Sequence, residues 1–164
     1  MPKFRHILLA LLALAMPQAG AAKQGGPSVR LEITSRAPAF GGRNFPAPGV
    51  YEQIAGKAHL RIDPLAPENR GIVDLDLAPR AAGGMVEYDV DFLIQRPADP
   101  RRARRIMLYD VVNRGMRLMG MMAGGSMNPN DAGDGLLQEF GLTFVWSGWQ
   151  GDIANKALIG ARFP

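Results

Sequence analysis

The first half of the chain alternates between apolar and polar residues, which is the pattern of half-buried β-strands. "VRLEITS" and "KAHLRID" alternate with a period of two, so their apolar residues share one face of a strand. "IVDLDLAPR" (72–80) and "MVEYDVDFLIQRP" (85–97) continue the pattern. Four such strands predict an antiparallel meander with one solvated face. Between the first two, proline and glycine predict a long loop whose Phe40, Phe45 and Tyr51 contact the core.

The pattern changes after residue 105. "IMLYDVV" (106–112) and "LTFVWS" (142–147) are nearly continuous apolar runs, which are typical of strands covered on both faces. Between them, "MRLMGMM" and "DAGDGLLQEFG" are helix candidates, with Asp134 as the predicted N-cap and Gly141 as the stop. A strand, a helical crossover and a second strand form a parallel βαβ unit. The chain is therefore expected to join an antiparallel front half to a parallel back half.

Residues 1–22 have the organisation of a secretory signal peptide. A basic start is followed by an apolar stretch over residues 7–16 and by small residues at 19–21, which signal peptidase requires. Cleavage would leave residues 23–164 as one exported domain, periplasmic or secreted and without a stable membrane anchor. An uncleaved membrane anchor is the alternative.

Charge and composition exclude several classes of chemistry. The formal net charge of +4 falls to +2 when Lys3 and Arg5 leave with the signal peptide, so no nucleic-acid partner is expected. The chain has no cysteine, which excludes disulfides, thiolate nucleophiles and cysteine-based zinc sites. His59 is the one histidine after the signal peptide, and its place on the polar face of a strand predicts a solvated side chain. No metal or cofactor is therefore expected.

Two serines only partly match the nucleophile elbow Gly-x-Ser-x-Gly. Ser126 lies in "AGGSMNP", where Asn128 replaces the second glycine and no predicted strand precedes the serine. Ser147 ends a predicted strand, but its flanking residues also fail the motif. Both are expected to be ordinary polar residues, so no catalytic residue is predicted.

The candidate site lies where the two apolar strands end, because ligands of open α/β sheets bind beyond the carboxyl ends of parallel strands. Backbone amides there can donate to an oxyanion, and tryptophans can wall an apolar pocket. The candidate residues are Asn113, Arg114 and Gly115 after the first strand, and Trp146, Trp149 and Asp152 at the end of the second. The alternative is that both tryptophans belong to the core and Asn113 caps a turn.

Five stretches together resemble the N-terminal region of a bacterial family of α/β-hydrolase domain-containing proteins. They are "GIVDLDLAPR", "GMVEYDVDFLIQRP", "LYDVVNRG", "DAGDGLL" and "GLTFVWSGWQGD", and the resemblance runs from about Val29 to the C-terminus. It implies an α/β fold in which antiparallel N-terminal strands lead into the start of a doubly wound sheet. It also implies that Asn113, Arg114 and Gly115 lie where such folds hold oxyanion donors.

The resemblance also implies a function for a longer protein. In that family the nucleophile, acid and histidine follow a later strand, so this chain is expected to be the N-terminal portion of an exported hydrolase of esters or related acyl substrates, inactive alone. The strand at 106–112 would then keep an unpaired edge and promote self-association. The alternative is a self-sufficient exported β-rich binding module that uses the loop from Trp146 to Trp149.

Overall fold

The computed structural model describes residues 26–126, 128, 130–155 and 158–164. Within these ranges the chain forms a seven-stranded mixed sheet and two single-turn helices. The strands are β1 (Ser28–Pro38), β2 (Asn44–Phe45), β3 (Gly49–Ile62), β4 (Val86–Pro97), β5 (Met107–Tyr109), β6 (Thr143–Ser147) and β7 (Ala161–Arg162). The helices are α1 (Met119–Met122) and α2 (Leu136–Glu139). The predicted signal peptide, residues 1–22, lies outside the described residues.

The strand order β1-β3-β4-β6-β5 shows how the two halves of the chain combine. β1, β3 and β4 are successive antiparallel neighbours, and the short strands β2 and β7 pair with β3 and β4. β6 runs antiparallel to β4, whereas β5 runs parallel to β6. The predicted parallel pairing of residues 106–112 with 142–147 is therefore present. This order leaves β1 and β5 at the two edges of the main sheet.

Cross-strand partners place two kinds of side chain on opposite faces of the β3–β4 pair. The polar face carries Lys57, His59 and Arg61 opposite Asp91, Asp89 and Glu87. The apolar face carries Ala58, Leu60 and Ile62 opposite Val90, Tyr88 and Val86. β1 extends both faces, since Arg30 lies opposite His59 and Leu31 lies opposite Ala58. The alternating residues of the sequence thus predict correctly which side chains share a face.

The hydrophobic core lies at the β5–β6 end of the sheet, on the side of the polar face. It contains Phe40, Phe45, Tyr51, Phe144 and Trp146, each at most 7% exposed. The Tyr51 hydroxyl lies 2.9 Å from the carbonyl oxygen of Gln138 and 3.1 Å from that of Leu142. Burial raises the pKa of this phenol above its usual value, so the hydroxyl stays a donor. The predicted packing of Phe40, Phe45 and Tyr51 on the core is confirmed.

The strand predicted over residues 72–80 is absent from the structure. Asp74 adopts a left-handed backbone with φ of 58°, and a 3₁₀ turn follows at Leu75–Leu77. Leu75 alone is buried here, whereas Val73 and Leu77 are exposed. The prediction was wrong because alternation describes the side chains but supplies no neighbouring strand to accept the backbone hydrogen bonds. Three long antiparallel strands, rather than four, form the front half.

The predicted α/β fold with the start of a doubly wound sheet is also wrong, because the structure is mostly β. Each helix of the crossover is one turn long, and β5 pairs with β6 over three residues. Glycines at 115, 120, 124, 133 and 135 interrupt the crossover, and short helices without packing are marginal.

Gly135, not Asp134, is the N-cap of α2, although Asp134 accepts a hydrogen bond from the Leu136 amide at 2.8 Å. No helix in the described ranges is long and apolar enough to span a membrane.

Candidate functional site

The loops after β5 and β6 meet at one edge of the sheet, as predicted. The Arg114 amide donates to the side-chain oxygen of Gln150 at 2.8 Å, and its guanidinium pairs with Asp152 at 3.0 Å. From the other loop, the Trp149 indole N–H donates to the carbonyl oxygen of Val112 at 2.7 Å. Each loop is therefore held in place by the other.

Asn113, Arg114 and Gly115 form a tight turn rather than an open cradle. Asn113 and Met116 exchange two backbone hydrogen bonds of 2.9 and 3.0 Å. Arg114 and Gly115 both have positive φ, 48° and 79°, as a two-residue turn of type I′ requires. The Asn113 amide donates to Met116 and the Arg114 amide donates to Gln150. Two of the three predicted oxyanion donors thus already have partners within the chain.

The two tryptophans of the predicted site have different environments. Trp146 is 4% exposed and its indole N–H donates to the Asp110 carboxylate at 2.7 Å. The Arg117 guanidinium lies over its ring, 5.3 Å from the centroid. Trp149 is 55% exposed and borders a groove on the apolar face. Trp146 therefore lies in the core, as the alternative states, whereas Trp149 lies at the border of a groove whose floor is the apolar face of the sheet.

Asp110, which was not among the predicted site residues, organises the end of β5. One of its carboxylate oxygens accepts hydrogen bonds from the amides of Leu118 and Met119, at 3.2 and 3.1 Å, in addition to the Trp146 indole. Burial lowers the pKa of Arg117, and the Asp110 carboxylate acts in the opposite direction. The signal in the sequence is an acidic residue that follows the apolar run 106–109, although the apolar pattern predicts that Asp110 lies inside the longer strand 106–112.

An open groove of about 650 Å³ lies on the apolar face of the sheet. β3 and β4 form its floor through Leu60, Tyr88 and Val90, and Trp149 and Phe163 border it. The rings of Tyr88 and Phe163 are in contact, with centroids 5.6 Å apart. The segment at 72–79, which was predicted to be a strand, forms the remaining wall. Among the described side chains lining the groove, that of Asp74 is the only charged one.

The polar face carries a series of ion pairs in which His59 is central. Its Nδ1 lies 2.7 Å from Asp89 and its Nε2 lies 2.9 Å from Glu32, and the hydrogen bond from His59 lowers the pKa of Glu32. Arg61 pairs with Glu87 in the same series at 2.8 Å. His59 is therefore a partly buried residue between two carboxylates rather than the solvated one predicted. Both ring nitrogens contact carboxylates, so this histidine does not activate a serine hydroxyl.

Neither a metal site nor a serine nucleophile emerges from the described part of the chain. It contains no group of three or more acidic or histidine side chains arranged to hold a metal ion. Ser126 lies in a loop, where its hydroxyl oxygen accepts a hydrogen bond from the Asn128 amide at 3.2 Å. The hydroxyl oxygens of Ser147 and Tyr109 lie 2.6 Å apart. Ser126 is thus a loop residue and Ser147 is the last residue of β6, which are the positions that the sequence predicts.

Comparisons with known proteins leave the family open. No protein-family model, curated protein or solved structure matches this chain. The resemblance to α/β-hydrolase domain-containing proteins therefore stays a prediction.

Proposed function

We propose that the protein binds a small apolar ligand with an acyl chain in the groove beside Trp149. The observation that carries this proposal is the groove itself, whose volume of about 650 Å³ is typical of small-molecule sites. Its floor is the apolar face of two long paired strands, so the binding surface exists before a ligand arrives. This function corresponds to an exported β-rich binding module.

The position of Trp149 supports binding because its ring is fixed while one side of it stays open. The indole N–H donates to the Val112 carbonyl oxygen, which ties the ring to the loop after β5. The side chain nevertheless remains 55% exposed at the border of the groove. A preorganised aromatic surface loses little conformational entropy on binding, so more of the contact energy is retained as affinity.

The charge of the lining favours a neutral ligand over an anionic one. Asp74 borders the groove, and no lysine or arginine is among the described residues that line it. A fatty acid carboxylate would gain no cationic partner there and would be repelled by Asp74. A neutral acyl ester, such as a monoacylglycerol, meets no such penalty. We therefore expect the groove to prefer neutral acyl esters to free fatty acids of the same chain length.

Titration of the full chain with a monoacylglycerol, followed by tryptophan fluorescence and calorimetry, tests this function. Trp149→Ala should weaken binding roughly tenfold, because covering about 60 Å² of indole at about 25 cal/mol per Å² is worth about 1.5 kcal/mol. The matched control is Met122→Ala, since Met122 is 86% exposed and does not line the groove. Equal effects of the two substitutions, or the absence of saturable binding, would contradict the proposal.

Ester hydrolysis is a second candidate, for a longer protein in which this chain would supply only the strand-end loops. The parallel β5–β6 pair and the contact between the two loops favour it, because acyl-transfer enzymes with parallel sheets act at such strand ends. The described residues do not pair a serine with His59, so we expect no turnover of p-nitrophenyl acetate above background by this chain. Turnover that disappears in Ser126→Ala would instead assign catalysis to this serine.

A further inference from the structure

β1 is a long edge strand that exposes every one of its residues. It spans the eleven residues Ser28–Pro38 and pairs with β3 alone among the described strands. Val29, Leu31 and Ile33 are 66%, 64% and 53% exposed on the apolar side. A β-bulge between Ile33 and Ser35 interrupts the edge, so its regular part is Ser28–Ile33. An edge segment of this kind with exposed apolar side chains is a template for pairing with another strand.

We propose that β1 pairs antiparallel with β1 of a second copy of this chain, with Leu31 opposite Leu31. In this register each Arg30 faces Glu32 of the other copy, and each Val29 faces Ile33. Cross-strand pairs of opposite charge and of β-branched residues stabilise a sheet. The pairing also joins the two polar faces and the two apolar faces into continuous surfaces.

Neighbouring registers lack this complementarity. A shift of one residue would place apolar side chains opposite charged ones on the wrong face of the sheet. A shift of two residues would place Arg30 opposite Arg30, or Glu32 opposite Glu32, and directly opposed like charges are destabilising. A register pairing Glu32 with Arg36 would have to cross the β-bulge between Ile33 and Ser35, beyond which Arg36 lies opposite Ile54 and no longer on the face of Glu32. The regular part of β1 before the bulge is therefore self-complementary when Leu31 lies opposite Leu31.

The two charged residues are available for such pairing. Arg30 and Glu32 are both exposed, and their closest contact with each other within one strand is 3.6 Å. Glu32 also contacts His59 at 2.9 Å, which holds its carboxylate on the polar face. A guanidinium has five N–H donors, so Arg30 can pair with Glu32 of a second copy and keep its present contact.

Cysteine cross-linking of the full chain tests the register directly, because the protein has no cysteine of its own. Directly opposite residues of antiparallel strands have Cα atoms about 4.5 to 5.5 Å apart, within the range that a disulfide spans. Leu31→Cys should therefore give disulfide-linked dimers under mild oxidation. Leu65→Cys, at a residue 78% exposed outside the sheet, should remain monomeric. Equal cross-linking of the two, or more efficient cross-linking of Met107→Cys on the β5 edge, would overturn the proposal.

Exchange of charges provides an independent test by sedimentation velocity. Arg30→Glu and Glu32→Lys should each weaken dimerisation roughly tenfold, because two pairs of opposite charge become pairs of like charge. An equimolar mixture of the two variants should restore the dimer, since unlike copies are again complementary. Circular dichroism establishes that each variant is folded. Unchanged self-association of Arg30→Glu, or a mixture no stronger than the separate variants, would refute this register.

Discussion

The two ends of the sheet share strands β3 and β4 but differ in what covers them. At the β5–β6 end, Phe40, Phe45 and Phe144 pack around Tyr51 and exclude water from one face. At the β1 end, every residue of the edge strand is exposed. The difference arises because the segments at 39–48, 113–126 and 130–141 fold over the first end. The buried core is thus concentrated at one end, and the exposed edge proposed for self-pairing lies at the other.

The largest contrast between the two ends should appear in a pair of truncations. Phe144→Ala should cost about 3 to 5 kcal/mol of unfolding free energy, because it opens a cavity in the core. Leu31→Ala, on the exposed edge, should change it by less than about 0.5 kcal/mol. Urea unfolding at a concentration where the protein is monomeric measures both. If both variants lost a similar amount of unfolding free energy, the β1 end would be buried in solution and the two ends would not differ in packing.

A second substitution asks whether Asp110 holds the β5–β6 end together. Asp110→Ala removes the acceptor of two amides and one indole N–H, which should cost about 2 to 3 kcal/mol. Asp152→Ala is the control, because its pair with Arg114 is exposed and worth less than about 1 kcal/mol. Chemical denaturation followed by tryptophan fluorescence measures both. If the two variants were equally stable, Asp110 would not organise the site.

The smallest effect concerns Glu52, whose ion pairs join β1 to the rest of the sheet. Burial raises its pKa, but the hydrogen bonds from Arg96 and Arg36 outweigh this and hold the pKa below its ordinary 4.5. A lowered pKa stabilises the fold above pH 4.5, and this contribution is lost as the pH falls through the lowered value. Glu52→Gln should cost at most about 1 kcal/mol at neutral pH. Unfolding curves at several pH values measure this contribution. Below pH 4.5 the free energy of unfolding should fall less in Glu52→Gln than in the unmodified protein, and identical pH dependence of the two would contradict this role.

The edge at β5 is shorter than the sequence indicated. The predicted strand at 106–112 is reduced to Met107–Tyr109, because Asp110 turns to the crossover and Val112 is buried. β5 has three residues, whereas β1 has eleven, of which about every second one directs its backbone groups away from β3. Self-association through β5 remains a prediction, but the structure makes β1 the stronger candidate. The cross-linking contrast between Leu31 and Met107 separates the two edges.

The sequence by itself determined the faces of the long strands and the place where the two loops meet. Alternation assigned His59 and Leu60 to opposite faces, and apolar runs with polar ends predicted the parallel pair and its loops correctly. These features are local, since a period of two follows from the geometry of one strand.

Only the tertiary structure decided which of these residues are covered and which partners they find. It buried Trp146 and exposed Trp149, and it placed His59 between two carboxylates. It also made Asp110 the acceptor of hydrogen bonds from two backbone amides and the Trp146 indole. It also left residues 72–80 without a strand neighbour and shortened both crossover helices, so the fold is mostly β. Burial and pairing depend on segments distant in the chain, and the pattern of one segment carries no information about what packs against it.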